Sequence, residues 1–199
     1  MRWLDADLPV VEAVRAKVAG PVRSPDGAVS EELSIQPCSL QHSAAVELTG
    51  LVQRYYRQVY GGTDRTPMQV DEFVPPNGRF LVGFLADRAV AMGGWRFLLD
   101  GPSVARRPAE LKRMFVRPEL RGLGLGLQML RALERSAADA GADWMLLETG
   151  EPQVSAVALY RRAGYVDVPA FGFYAGEPGV LNLGRRLTRG DSDGTQAAS

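Results

Sequence analysis

Residues 121 to 126 read Arg-Gly-Leu-Gly-Leu-Gly. They follow an apolar run, Met114-Phe115-Val116, and a turn at Pro118, and they open directly into an amphipathic segment. A glycine loop between a strand and a helix amino terminus is suited to an anion. Glycine lets the backbone come close, and the first-turn N–H groups have no partner inside the helix. Arg121, Gly122, Leu123, Gly124, Leu125 and Gly126 are therefore the candidates for gripping a phosphorylated ligand. The alternative is a plain helix cap. Three glycines in five residues are more than a cap needs, because each glycine within a helix costs up to ~1 kcal/mol.

The elements that must position this loop can be read from periodicity and turn residues. A helix is expected at Leu8 to Ala19, stopped by Gly20-Pro21, with a turn at Ser24 to Gly27. Leu33 to Cys38 reads as a first strand. Gln41 to Tyr60 reads as a helix with Val46, Leu48, Leu51, Val52 and Tyr55 inward and Gly61-Gly62 at its end. Phe80 to Ala86 and Ala89 to Leu98 form a hairpin about Asp87-Arg88. Glu110 to Val116 is a fourth strand and Gly124 to Ala140 a helix. That helix turns Leu127, Leu130, Leu133 and Ala137 to the core and Arg131, Glu134, Arg135 and Asp139 away. Trp144 to Glu148, a short helix Ser155 to Ala163, and strands at Tyr165 to Val168 and Gly179 to Leu187 complete the chain. The order predicts an α/β fold: a mixed sheet with helices on both faces, in which strand 4, helix and strand 5 make a right-handed parallel crossover. Residues 32–188 form the domain, 1–31 a helical extension, and 189–199 a tail too polar to fold.

Composition narrows the function. The 199 residues carry equal numbers of acidic and basic side chains, so there is no global field for nucleic acid or an anionic membrane. Any anion site is local. One cysteine and one histidine exclude an intrachain disulfide framework and argue against a metal site, and Cys38 reads as a small buried hydrophobe. No stretch reaches the roughly 18 apolar residues of a membrane span, and no signal peptide is recognised, so the cytoplasm is the expected location.

Arg121-x-x-Gly124-x-Gly126, after a strand and opening a helix, resembles the acetyl-coenzyme A signature of the GCN5-related N-acetyltransferases, the GNAT superfamily. Ala156 to Tyr165, Ala-Val-Ala-Leu-Tyr-Arg-Arg-Ala-Gly-Tyr, is similar to that family's second motif. The strand order agrees over roughly residues 32 to 188. The resemblance implies a central twisted mixed sheet of six to seven strands with strands 4 and 5 splayed. It also implies acetyl-CoA as co-substrate without a metal, and a homodimer as in many relatives.

By the same resemblance, the backbone of residues 121–126 holds the pyrophosphate, and Met114, Phe115 and Val116 pair with the pantetheine arm in the manner of an added strand. Gln153 stands where many members carry an asparagine seven residues before the motif tyrosine. Tyr160 resembles the general acid; its other reading is a buried aromatic anchoring the short helix. An acceptor amine must lose a proton, and Glu110, opening the fourth strand, is the first candidate base, with Glu148 next. Glu110 also reads as a solvated strand-end carboxylate. Strand alternation puts Glu110, Lys112 and Met114 on one face and Leu111, Arg113 and Phe115 on the other. Arg131, Arg161 and Arg162 are candidates for the adenosine 3′-phosphate or for plain surface charge.

The acceptor is expected to be a small primary amine, amino acid or peptide. Its walls are sought in the first helix, the proline-rich loop, Trp95 and the Phe171-Gly172-Phe173-Tyr174 loop. A protein lysine or amino terminus remains open as acceptor. A non-catalytic acyl-CoA sensor is the competing class. A dinucleotide fold is disfavoured, because its Gly-x-Gly-x-x-Gly belongs after the first strand.

Overall fold

The computed structural model describes residues 32–64, 66–99 and 101–188. The expected helix at 8–19, the turn at 24–27 and the tail from 189 lie outside the described residues. The elements are β1 (Ser34–Pro37), α1 (Ser43–Tyr60), β2 (Gly78–Leu85), β3 (Arg88–Phe97), β4 (Pro108–Val116), α2 (Leu125–Asp139), β5 (Trp144–Gly150), α3 (Val154–Arg162), β6 (Val166–Asp167) and β7 (Val180–Arg186), with 3-10 turns at Val70–Phe73 and Pro118–Leu120. They build one seven-stranded sheet in the order β1-β2-β3-β4-β5-β7-β6. Every described pairing is antiparallel except β4 with β5. The expected α/β architecture and order of elements are found.

Each face has its own apolar layer. α1 lays Ala45, Leu48 and Val52 on Phe73, Phe80, Val82, Met92 and Phe115. α2 lays Leu125, Met129, Leu130, Leu133 and Ala137 on Val90, Ala91, Trp95, Leu111, Met145 and Leu147, and α3 adds Tyr160 and Ala163 to the same layer. Removing such a side chain, as in Leu48→Ala, costs about 2–5 kcal/mol. α1 begins where the His42 ring accepts a hydrogen bond from the Ala44 N–H and ends at Gly61, whose φ of 73° suits a left-handed stop.

Three expected facings are corrected. Val46 and Leu127 are exposed, and Glu134 is buried. The inward stripe of α2 is offset from Leu127 to Leu125 and Met129. Glu134 enters the interior because Arg131 and Arg185 both pair with it, each at 2.7 Å. β4 also starts two residues before Glu110, at Pro108, whose carbonyl accepts from the Leu98 N–H.

Candidate active site

The glycine loop leaves the 3-10 turn at Arg121 and enters α2 at Gly124, whose side has no capping group. Gly122 and Gly124 adopt φ of 84° and 82°, in the left-handed region that other residues avoid, and a Cβ on either would meet open space. Among the described residues, no acceptor pairs with the N–H groups of residues 122 to 127, and the first helical bond is Gln128 N–H to the Gly124 carbonyl. A cradle of free amides beside open space fits a diphosphate. Gly126 does something different. A Cβ there would lie 3.3 Å from Leu159 and 3.8 Å from Val116, so this glycine lets α2 approach α3 and β4. The Arg121 guanidinium stands 4.9 Å from the Tyr55 ring centroid and 5.9 Å from that of Phe115, which ties the loop to α1.

Next to the loop the sheet parts. β4 and β5 pair only from Pro108↔Trp144 to Glu110↔Leu146, whereas β5 stays paired with β7 through Gly150. Leu111 to Val116 thus run on with no strand on the β5 side. Within this free stretch β4 carries a bulge. Met92 pairs with Phe115 and Gly94 with Lys112, so Arg113 and Met114 together oppose Gly93, and Arg113 takes a φ of 53°. The bulge overturns the expected alternation. Met114 and Val116 pack with Leu111 against the α2 layer, whereas Phe115 joins the α1 layer. One extra residue in β4 has exchanged the faces of everything beyond Lys112.

A line of charge, buried from Glu110 onward, crosses the α1 face of the parted strands. Glu72 pairs with Arg96 at 2.5 Å, Arg96 with Glu110 at 3.0 Å, Glu110 with Lys112 at 2.7 Å, and Lys112 stands 3.9 Å from Glu148. The Glu110 and Glu148 side chains are 1% and 4% exposed. Glu110 is therefore no solvated strand end: two cations clamp it. Glu148 differs. Its Oε1 accepts from the Tyr174 N–H at 3.0 Å, and its buried Oε2 has no hydrogen-bond donor among the described residues. Burial pushes its carboxyl above the usual range, with the Glu110 charge adding to this and Lys112 and the Tyr174 and Phe173 amides opposing. Gly172, at φ 81°, lies so close to Glu148 that a Cβ would sit 2.6 Å from Oε2.

Tyr160 projects from α3 and is 6% exposed. Its ring lies 5.5 Å from that of Tyr165. Burial, with a smaller contribution from Tyr56, raises its hydroxyl well above the ordinary phenol range. Tyr56 belongs to α1, which packs on the other face of the sheet. Gln153 precedes α3, and its side chain is hydrogen-bonded to the Tyr60 hydroxyl, which also meets the Gly150 backbone. Of the arginines considered for the 3′-phosphate, Arg161 pairs with Asp167 and Arg131 with Glu134, both intramolecularly.

The far wall is a roof of two loops. The Tyr174 hydroxyl donates to Asp64 at 2.9 Å, and Asp64 also pairs with Arg113 at 3.0 Å. Burial alone would raise the Asp64 carboxyl, but Thr66, Arg113 and Tyr174 outweigh it and hold it below the usual range. Trp95, expected in this wall, lies on the opposite face, donating to Ser136 at 3.0 Å. The sequence reading also missed Lys112, Arg96 and Asp64 as a connected set; nothing in the spacing of these residues announces that they meet. Among the described residues no group of three or more His, Cys, Asp or Glu side chains could hold a metal ion, and no helix is long and apolar enough to cross a membrane.

A sheet parted at its one parallel pair, with a glycine-loop helix at the opening, is the architecture of an acetyltransferase. A Klebsiella pneumoniae structure described as an acyl-CoA N-acyltransferase superposes with a TM-score of 0.66 at 24% identity, over 78% of this chain and 98% of that one. A GNAT acetyltransferase of Elizabethkingia anophelis with acetyl-CoA bound gives 0.55 at 15% identity, over 78% and 98%. These two likenesses concern the fold. In sequence, the Azospirillum brasilense protein named IAA acetyltransferase is 33% identical over 144 residues, 72% of this chain and 91% of its own length. The pattern of the Acetyltransferase (GNAT) family matches residues 46–165. The chain belongs to the GNAT acetyltransferase family, whose members use acetyl-CoA.

Proposed function

We propose that this protein transfers an acetyl group from acetyl-CoA to the primary amine of a small molecule, amino acid or peptide, by direct attack within a ternary complex. The observation that carries this reading is that free amides and a buried carboxylate with one oxygen not hydrogen-bonded, Glu148 Oε2, stand about one opening in the sheet. The amides of residues 122 to 127 would hold the diphosphate. The free β4 edge at Met114 to Val116 would align the pantetheine arm, and Gln153, oriented by Tyr60, would support it. Bound there, acetyl-CoA supplies the activated acetyl thioester.

Glu148 is the base we favour. Glu110, the first expectation, is clamped by Arg96 and Lys112, whereas Glu148 keeps Oε2 available, and its raised carboxyl is better matched to taking a proton near neutrality. An alkylammonium with a pKa near 10.4, the lysine value, cannot attack until such a group takes its proton. Raised above the ordinary phenol range, the Tyr160 hydroxyl stays protonated and so can offer a hydrogen bond to a departing thiolate. The roof joining Asp64 to Tyr174 closes the acceptor side, which favours a small amine over an extended protein segment.

Incubation with acetyl-CoA and a panel of small amines should release free thiol and yield the N-acetyl product by mass. Tight coenzyme binding with no turnover across amines, amino acids and peptide termini would move the protein to the non-catalytic acyl-CoA-binding class.

A further inference from the structure

The β4–β5 ladder stops at Glu110↔Leu146. Continued in the same register, it would bring Lys112 opposite Glu148. These two residues are in fact the ones that meet across the gap, with Nζ 3.9 Å from Oε2. The contact replaces a hydrogen-bonded rung by an attraction between charges. Its length matters. Lys112 sits 2.7 Å from Glu110 and is held there, while Glu148 lies beyond hydrogen-bond reach of the same ammonium. Glu148 therefore feels a cation without having its Oε2 lone pairs occupied.

Resting on the reading of Glu148 as base, we propose that Lys112 is a positioning residue: anchored to Glu110, it spans the parted strands and keeps Glu148 ionised while leaving Oε2 free to take the acceptor's proton. Other groups near Glu148 do not supply this. Glu110 opposes ionisation. The Arg96 charge is shared between Glu110 and Glu72. Arg113 is paired with Asp64. From α1 come the phenols Tyr56 and Tyr60, both raised above the ordinary range and so neutral. From the roofing loop come the Tyr174 and Phe173 amides, dipoles without net charge.

The test is the pH profile of kcat/KM for the full chain, with one acceptor amine throughout so that its ionisation is common to every profile. In Lys112→Met the acidic limb should move up by about one to three pH units, the range expected for an opposite charge this near. Lys112→Arg should restore it, with coenzyme A affinity unchanged in both. Should the methionine variant fail to fold, Lys112→Gln keeps a donor for Glu110 without charge and reads the same shift. A limb that stays in place in a folded uncharged variant overturns the inference. Glu148→Gln separates the two readings. If it keeps the wild-type profile, the base assignment itself fails. If it loses activity while Lys112→Met leaves the limb unmoved, only the role of Lys112 fails.

Discussion

The two sides of the parted strands are built by opposite means. The coenzyme side is main chain: consecutive residues 122 to 127 present unbonded amides, with open space at Gly122 and Gly124, while the Arg121 N–H is taken by the Pro118 carbonyl and side chains contribute little beyond the Arg121 guanidinium. The acceptor side is side chain: Asp64, Glu72, Arg96, Glu110, Lys112, Glu148 and Tyr174 converge from separate strands, turns and loops. A backbone cradle recognises what every donor of this class shares, a diphosphate. A side-chain chamber can change one residue at a time and so sets what is acetylated. The contrast predicts that damage on one side leaves the other working.

Glu148→Gln is expected to break the acceptor side most severely. kcat should fall about 10²- to 10⁴-fold, the usual contribution of a positioned base, with coenzyme A affinity unchanged by calorimetry. Wild-type kcat/KM should fall as pH drops through the raised Glu148 value, since the base must be ionised. Stability gives a second readout. Because the folded carboxyl is raised, its protonated form is favoured on folding, and that contribution fades as pH rises through the folded value. Glu148→Gln lacks this fade and should melt no lower than wild type at neutral pH. A variant with unaltered kcat removes Glu148 from the chemistry.

Gly124→Glu is the converse. It puts a carboxylate into the cradle and a non-glycine residue at φ 82°. Coenzyme A affinity should drop at least ~100-fold, equivalent to about 2.7 kcal/mol. Gly124→Ala, which carries only the backbone penalty of about 1–2 kcal/mol, serves as the uncharged control. Undiminished binding by a folded Gly124→Glu protein would show that the diphosphate sits elsewhere. Tyr160→Phe comes at the lower end of these effects. Loss of the acid should lower kcat by roughly 10²-fold, whereas a purely anchoring ring would leave kcat intact and change only the melting temperature.

The unequal legibility of the two sides follows from how each is built. The glycine loop announces itself because backbone sites need particular residues at fixed local offsets: Gly122 and Gly124 are required by their own dihedrals. The strand order and the α1 core residues Leu48 and Val52 are legible for a similar reason, local periodicity. The bulge at Arg113 is not. Arginine is no signal for a positive φ, and the partner of the bulged Arg113, Asp64, lies 49 residues away in the sequence. Every facing beyond Lys112 in β4 was lost with it. The choice between Glu110 and Glu148 was equally hidden, since both end up buried on neighbouring strands. What separates them is which cations stand beside each: Arg96 reaches Glu110 from β3, and Lys112, a near neighbour of Glu110 in β4, stands closer to it than to Glu148 across the gap. Trp95 was misplaced because an aromatic in a strand buried on both faces carries no mark of which layer it enters.

The smallest expected effect sharpens the comparison within the loop itself. If all three glycines serve the anion alike, Gly126→Ala should weaken coenzyme A binding as Gly124 variants do. The geometry says otherwise. Gly126 carries no positive φ, lies in the first turn of α2, and the nearest obstacle to a Cβ is the end of a leucine side chain at 3.3 Å, which can turn aside by a few tenths of an ångström. Alanine removes the entropic penalty of glycine in a helix, about 0.5–1 kcal/mol, against a small repacking of Leu159. The melting temperature should therefore hold or rise by about 1–3 °C, and coenzyme A affinity should change less than ~3-fold. A large loss of affinity in Gly126→Ala would mean that the ligand approaches the helix axis here too, and that Gly126 belongs to the cradle rather than to the packing of α2 on α3.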